Sequence, residues 1–129
     1  VNSTMNSNYE TDEDDTASYL SNTLSISFEG ILSSSLLAIM NDSLCTSAGA
    51  ACHSTDGISI SDVLKAIECP PSFAIGTLRL SVGRYTTMDD VEKAAEVILS
   101  GIQQLLDNPT DIQKCAWNMY HIDPSSCLV

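Results

Sequence analysis

Residues 77–106 read TLRLSVGRYTTMDDVEKAAEVILSGIQQLL, and the spacing of hydrophobic residues changes once within this stretch. Over Thr77–Val82 large apolar residues alternate with polar ones, which is typical of a half-buried β-strand. Thr87 and Asp90 then have the spacing of a helix N-terminal capping box. From Val91 onward apolar residues recur at helical spacing. The stretch therefore predicts a strand, a turn and then the longest helix of the chain.

Upstream of this stretch the sequence predicts three further elements of the same two kinds. Thr23–Phe28 alternates small polar with large apolar residues and predicts a strand. Ile31–Met40 carries apolar residues on one broad helical face and predicts a helix. A second, short strand is predicted for Ser43–Thr46.

A further helix is predicted between the second and third strands. Ser59 is its predicted N-cap, with Asp62 three residues later in a capping-box arrangement, and Cys69-Pro70-Pro71 ends it because proline interrupts a helix. Its predicted apolar face consists of Ile60, Val63, Leu64 and Ile67. Three strands with helices between them predict an α+β fold, a small three-stranded sheet with helices on one face.

Composition divides the chain into three parts. Residues 1–21 are polar and acidic and are predicted to form a flexible arm or insertion, either partner-binding or simply solvated. Residues 22–106 form the predicted α+β domain, and residues 107–129 a C-terminal tail that is partly helical. The 129-residue chain has a formal net charge of −12, which repels nucleic acid and anionic membranes, so neither is expected as a partner.

The cysteine pattern bears on the compartment. The chain has five cysteines and no CxxC pair, so neither a zinc site nor a disulfide framework is predicted. Free thiols are expected in a reducing intracellular compartment, either cytoplasmic or organellar. The chain begins at Val1 rather than at a methionine, and we expect it to be a piece of a longer protein.

Two positions stand out as candidate functional residues. In Ser47–Ser54 five small residues lead into Cys52, which His53 follows, so the run predicts a tight turn that presents a thiol. The alternative is an ordinary buried free cysteine. Arg79 lies on the predicted third strand, opposite its apolar side chains, and offers a rigid fork for a carboxylate. The alternative is a surface arginine, or one paired with a structural acid.

These runs carry a family resemblance. Residues 47–54 and 78–87, together with the strand at 22–28, resemble the C-terminal region of cysteine desulfurases and selenocysteine lyases. Those proteins are pyridoxal-phosphate enzymes of the class V aminotransferase family. The resemblance extends over residues 22–106 and is closer to the selenocysteine lyase type, on Cys52-His53-Ser54 and the position of Gly57. It implies the C-terminal small domain of a fold-type I pyridoxal-phosphate enzyme.

The resemblance also implies roles for the candidate residues. Cys52 would be the nucleophile that takes sulfur from L-cysteine, giving L-alanine and a persulfide, or that assists selenium release from L-selenocysteine. Arg79 would bind the substrate α-carboxylate. His53 would either lower the pKa of Cys52 by its charge or simply face solvent. The complete enzyme would be a homodimer that passes sulfur to an acceptor protein, in sulfur metabolism that includes iron–sulfur cluster assembly.

The family's cofactor lysine has no counterpart in this sequence. The three lysines are Lys65, Lys93 and Lys114, of which the first two fall on the solvent sides of predicted helices and the third lies in the tail. We therefore expect pyridoxal phosphate to be bound by a large domain outside this chain, and we expect the chain alone to be inactive. The alternatives are a non-catalytic sulfur carrier or partner-docking module, and a purely structural fragment.

Overall fold

The computed structural model describes residues 21–49 and 58–127 of the chain. Within these residues the elements follow one another in an order that begins with a strand and ends with helices. They are β1 (Thr23–Ser27), α1 (Ser33–Met40), β2 (Ser47–Ala48), α2 (Asp62–Ala66), α3 (Pro71–Ala74), β3 (Thr77–Ser81), α4 (Met88–Asp107), α5 (Asp111–Tyr120) and a 3-10 turn (Pro124–Ser126).

The three strands form one antiparallel sheet in which β3 lies between β1 and β2. Leu78 is opposite Ile26, and Leu80 is opposite Leu24, so the large apolar side chains of both strands share one face. The predicted α+β fold with a small three-stranded sheet is confirmed, as are the first and third strands to within one residue.

Helices α1 and α4 cover the apolar face of the sheet. They lie close together at Gly101, where an added Cβ would lie 2.8 Å from Cδ1 of Leu36. A larger residue there would require the Leu36 side chain to shift within the closely packed core. This core consists of Ile31, Leu36, Met40, Leu78, Ile98, Ile102 and Leu105.

The short strand predicted for Ser43–Thr46 is wrong by several residues. The backbone N–H groups of Ser43 and Leu44 donate to the carbonyl of Met40, 2.8 and 3.0 Å away. These bonds form a turn that ends α1, and the same N–H groups cannot then pair with another strand. Pairing with β3 therefore begins only at Ser47.

The second predicted helix differs in its cap and in its buried face. Ser61, not Ser59, is the N-cap, and its hydroxyl accepts from the N–H of Val63 at 3.2 Å. Of the predicted apolar face, only Leu64 is buried within this helix. Helix α2 has five residues, little more than one helical turn. Val63 and Ile67 are 69% and 62% exposed.

The stretch after α2 also contains a helix that was not predicted. The sequence Cys69-Pro70-Pro71 does not only end α2. It also begins α3, because proline is tolerated in the first turn of a helix, where its missing N–H has no partner to lose.

The predicted capping box of α4 is confirmed. The N–H of Asp90 donates to the Thr87 hydroxyl at 3.2 Å, and the N–H of Thr87 donates to the Asp90 carboxylate at 2.9 Å. The pKa of Asp90 is lowered, first by the backbone N–H of Thr87 and then by its hydroxyl. Arg84, just before this helix, pairs with neither acid of the first turn, since Asp90 bonds to Thr87 and Asp89 pairs with Lys93.

Residues beyond 107 include a helix that packs onto the turn between β1 and α1. The Gln113 side chain is fully buried, where its amide nitrogen donates to the carbonyl of Gly30 and its amide oxygen accepts from the N–H of Leu32, at 2.7 and 2.8 Å. The indole N–H of Trp117 donates to the same Gly30 carbonyl at 2.6 Å. Helix α5 is thereby joined to the α+β domain by buried hydrogen bonds.

Gly30 has a φ of +72°, in the left-handed region that favours glycine. An added Cβ there would also overlap the sulfur of Cys127. Within the described ranges, no helix has both the length and the apolar character needed to cross a membrane.

Candidate functional site

Arg79 occupies the middle of the central strand, on the face opposite the core. The antiparallel register places Ser25 of β1 opposite it on one side and Ser47 of β2 opposite it on the other. Arg79 is exposed, as is Ser25, and Ser47 is half-buried. The predicted position of Arg79, on the side of the strand away from Leu78, is confirmed.

The guanidinium of Arg79 has no carboxylate partner among residues 21–49 and 58–127. The three ion pairs in this part of the chain all join a lysine to an aspartate. Of the two alternatives for a structural arginine, pairing with an acid is therefore not found here. An exposed guanidinium without an anion keeps its five donors available to a ligand.

Strand β2 is held against β3 as far as Gly49, the last described residue before the gap at residues 50–57. The N–H of Gly49 donates to the carbonyl of Thr77 at 2.7 Å, and an added Cβ at Gly49 would lie 2.7 Å from Cγ2 of Thr77. Glycine is thus required for this close approach. The Thr46 hydroxyl donates to the backbone carbonyl of Arg79 at 2.8 Å and ties the other end of β2 to the same strand.

Cys52 and His53 lie within residues 50–57, outside the described residues. The nucleophilic role of Cys52 and the modulating role of His53 therefore stay predictions. The same holds for the binding of a substrate carboxylate by Arg79, because the structure contains no ligand. Residues 1–20 of the predicted acidic arm also lie outside the described residues.

The lysines do not fit a Schiff-base site for pyridoxal phosphate. Lys65 pairs with Asp62, Lys93 with Asp89, and Lys114 with Asp111, and the three lysine side chains are 61%, 67% and 55% exposed. A cofactor lysine lies in an apolar pocket or beside another cation, whereas each of these three lysines is exposed and beside an aspartate. Over residues 21–49 and 58–127, no three His, Cys, Asp or Glu residues are grouped to hold a metal ion.

The four cysteines within the described ranges have different environments. Cys45 and Cys115 are exposed, Cys69 is intermediate, and Cys127 is buried. The pKa of Cys127 is raised, first by burial and then by the negative charges of Glu29 and Asp123. Burial and negative neighbours make the Cys127 thiol less reactive than an exposed thiol, so it is a weaker candidate nucleophile.

Sequence reasoning did not single out Ser25 and Ser47. The alternation within β1 indicates that Ser25 faces away from the core, but it does not say which residue lies opposite on the next strand. That information depends on the register of β1 and β2 against β3, which only the folded chain provides.

Comparison with curated proteins finds cysteine desulfurases among the relatives of this chain, whereas no protein-family model matches it. A cysteine desulfurase IscS from Methanosarcina thermophila is 38% identical over 87 residues, which is 67% of this chain and 21% of that protein. A cysteine desulfurase from Sinorhizobium fredii is 33% identical over 95 residues, 73% of the chain and 24% of the relative. A cysteine desulfurase IscS from Vesicomyosocius okutanii is 30% identical over 115 residues, which is 82% of this chain and 28% of that protein.

The small antiparallel sheet with its helices matches a small α+β C-terminal domain. The chain is a relative of the cysteine desulfurases, as the sequence predicted, and the matches are consistent with a C-terminal domain of such a protein. It spans about a quarter of the length of the curated relatives it matches.

Proposed function

We propose that this chain is the C-terminal part of a pyridoxal-phosphate-dependent cysteine desulfurase. In this proposal Cys52 is the nucleophile and persulfide carrier, and Arg79 binds the α-carboxylate of the substrate. The observation that carries the proposal is the position of Arg79: exposed, without a described carboxylate partner, and directly opposite the strand that leads to Cys52. The names of the relatives support the same activity.

Chain geometry supports a shared site for the two residues. Ser47 is opposite Arg79, and Gly49 is bonded to β3 two residues later. Cys52 follows Gly49 by three residues, and three residues of chain reach at most about 11 Å. We propose that this short connection lets the thiol meet a small amino acid held by the guanidinium.

The reaction balances without an external oxidant. The Cys52 thiolate attacks the sulfur of L-cysteine, a sulfur–sulfur bond forms, and the bond between Cβ and sulfur breaks. The electron pair left on carbon takes a proton, which gives L-alanine and a Cys52 persulfide. The cofactor, held by residues outside this chain, would supply the electron sink for the carbon.

The roles of this chain's own residues follow from their chemistry. Arg79 orients the substrate through a bidentate pair with its carboxylate. A positive charge on His53 would favour the thiolate form of Cys52, which is the attacking species. A persulfide on Cys52 would then pass its outer sulfur to an acceptor protein. Homodimerisation, the acceptor and the choice between L-cysteine and L-selenocysteine belong to the proposal for the complete enzyme.

The test uses the full-length protein with pyridoxal phosphate and L-cysteine, and it measures alanine and sulfide. We expect Cys52→Ala to lose at least 100-fold in rate while the cofactor absorbance is unchanged. Cys45→Ala, which removes an exposed thiol outside the site, serves as the matched control and should retain the rate. An unchanged rate in Cys52→Ala would refute the proposal. Turnover of L-selenocysteine relative to L-cysteine in the same assay decides the preferred substrate.

The alternative function is a non-catalytic sulfur carrier or docking module. It is favoured by one observation, namely that all three lysines are exposed and paired with aspartates. The coding sequence upstream of Val1 separates the two functions. A lysine motif for the cofactor in the same reading frame supports the enzyme, and a nearby start codon supports the module.

A further inference from the structure

The polar face of the sheet consists of three cross-strand rows. The row at one end pairs Thr23 with Ser81, and the row at the other end pairs Ser27 with Thr77. The middle row is the only one of the three that extends over all three strands and contains a charge. It consists of Ser25, Arg79 and Ser47.

Hydroxyl groups in the two outer rows satisfy one another. The Thr23 and Ser81 hydroxyls are 3.2 Å apart, and those of Ser27 and Thr77 are 2.6 Å apart. The second of these rows is also buried. Neither outer row therefore has a strong need for a further hydrogen-bond partner.

The middle row, in contrast, carries a positive charge that no anion balances among the described residues. Its arginine brings five N–H donors and no acceptor, and each serine hydroxyl can donate once as well as accept. Within the described ranges, no carboxylate pairs with Arg79, and no side chain hydrogen-bonds the Ser25 or Ser47 hydroxyl. An acceptor-rich anion is the group that satisfies such a row.

The small size of Ser25 and Ser47, which flank Arg79, affects how easily a ligand can approach its guanidinium. Directly opposed residues on antiparallel strands have Cβ atoms about 5 Å apart, so whatever stands opposite Arg79 limits access to it. Serine is short and leaves both flanks of the arginine open. A planar carboxylate has two oxygens with about four acceptor sites, enough to take two N–H bonds from the guanidinium and one or two from hydroxyls.

We infer that Ser25 and Ser47 are substrate-binding residues that complete a carboxylate site around Arg79. The inference rests on the proposed function, since the carboxylate is that of the amino acid to be desulfurated. Arg79 supplies the charge, and the two hydroxyls donate to the carboxylate oxygens from opposite sides. Ser47 is the flank that precedes Cys52 in the sequence by five residues, and Ser25 is the flank on the other side of Arg79.

The test measures steady-state kinetics of the full-length protein with L-cysteine. Ser25→Ala and Ser47→Ala each remove one donor from an accessible position without adding bulk. We expect each to raise KM about tenfold, the loss typical of one hydrogen bond to a charged group. We expect kcat to stay within twofold, because the carboxylate is bound equally in the ground and transition states. Ser47→Thr keeps the hydroxyl and should recover most of the affinity.

Ser81→Ala is the matched control, because Ser81 is two residues from Arg79 on the same face and belongs to an outer row. Its KM should equal that of the wild type. If Ser25→Ala and Ser47→Ala also leave KM within twofold of the wild type, while Cys52 remains essential, this inference is wrong and the proposed function stands. If the wild type forms no alanine, or Cys52→Ala is fully active, the proposed function fails and the carboxylate site fails with it.

Discussion

The indole N–H of Trp117 and the carbonyl oxygen of Gly30 are 2.6 Å apart, although 87 residues separate them in the chain. Gln113 contacts the same carbonyl and also accepts from the N–H of Leu32. The turn between β1 and α1 thus depends on side chains of α5. This turn precedes the helix that covers the sheet, so α5 contributes to the integrity of the domain.

Removing the Gln113 amide should therefore destabilise the whole fold. In Gln113→Ala the Leu32 N–H loses its buried acceptor and the Gly30 carbonyl loses one of two donors. We expect the free energy of unfolding to fall by about 3 kcal/mol, the cost of unsatisfied buried groups. Urea unfolding followed by the fluorescence of Trp117, the one tryptophan in the chain, measures it.

Gln103→Ala is the control for that experiment. Gln103 lies on α4 and its amide bonds only to exposed Asp107 at 3.0 Å. Its removal should change stability by less than about 0.5 kcal/mol. Equal effects of the two substitutions would show that the Gln113 bonds contribute nothing specific.

Substitutions of Arg79 and Arg84 should differ in their effect on the KM for L-cysteine. In the full-length protein Arg79→Ala should raise KM for L-cysteine about 100-fold, because a charged pair with the carboxylate is lost. Arg79→Lys keeps the charge but not the bidentate geometry, so an intermediate KM is expected. Arg84→Ala, at an exposed position just after β3, should leave KM within twofold. A large effect of Arg84→Ala with none for Arg79→Ala would reverse the assignment.

The capping box of α4 should make stability depend on pH. The pKa of Asp90 is lower in the folded chain than in the unfolded one. Its contribution is therefore complete above the unfolded pKa of about 3.9 and is lost as the pH falls through the lower folded pKa. Asp90→Asn should be less stable than the wild type at pH 7, and the difference should shrink below pH of about 4.

An NMR titration of the Asp90 carboxyl adds a direct measurement. Thr87→Val removes the hydroxyl that donates to this carboxylate at 2.8 Å, so the pKa should rise toward its ordinary value. An Asp90 pKa that is the same in both proteins would contradict the capping-box explanation.

The thiols should differ in their rates of alkylation. At pH 8 iodoacetamide should modify exposed Cys45 and Cys115 about tenfold faster or more than buried Cys127, because the thiolate is the reactive form and the pKa of Cys127 is raised. Peptide mass spectrometry after short labelling measures each site. In urea the rates should converge, and a fast native reaction of Cys127 would mean that its burial is transient.

Periodicity predicted β1 and β3 because a two-residue alternation is already visible over five residues, and it predicted α4 because twenty residues repeat the helical spacing several times. It predicted a helix at α2 but not its cap or its buried face, and it misplaced β2, which has two residues. Elements this short are determined by local hydrogen bonds, such as those to the Met40 carbonyl, and by contacts with distant residues. The spacing of hydrophobic residues along the chain does not predict such bonds and contacts.

In the candidate site, too, one feature could be predicted from local sequence and another depends on contacts between distant residues. The face on which Arg79 lies follows from alternation along one strand, and that prediction is confirmed. Its neighbours Ser25 and Ser47 come from two other strands, so their positions depend on the register. The packing of Gln113 and Trp117 against Gly30 could likewise not be predicted from the sequence, since no local pattern connects residues more than 80 positions apart.

The dependence of the Gly30 turn on α5 has a consequence for synthesis. A ribosome makes this turn more than 80 residues before it adds Gln113 and Trp117. Until they emerge from the exit tunnel, the nascent chain can form β1 and α1 only provisionally. We therefore expect folding to finish late in translation, with chaperones able to bind the unfinished domain until then.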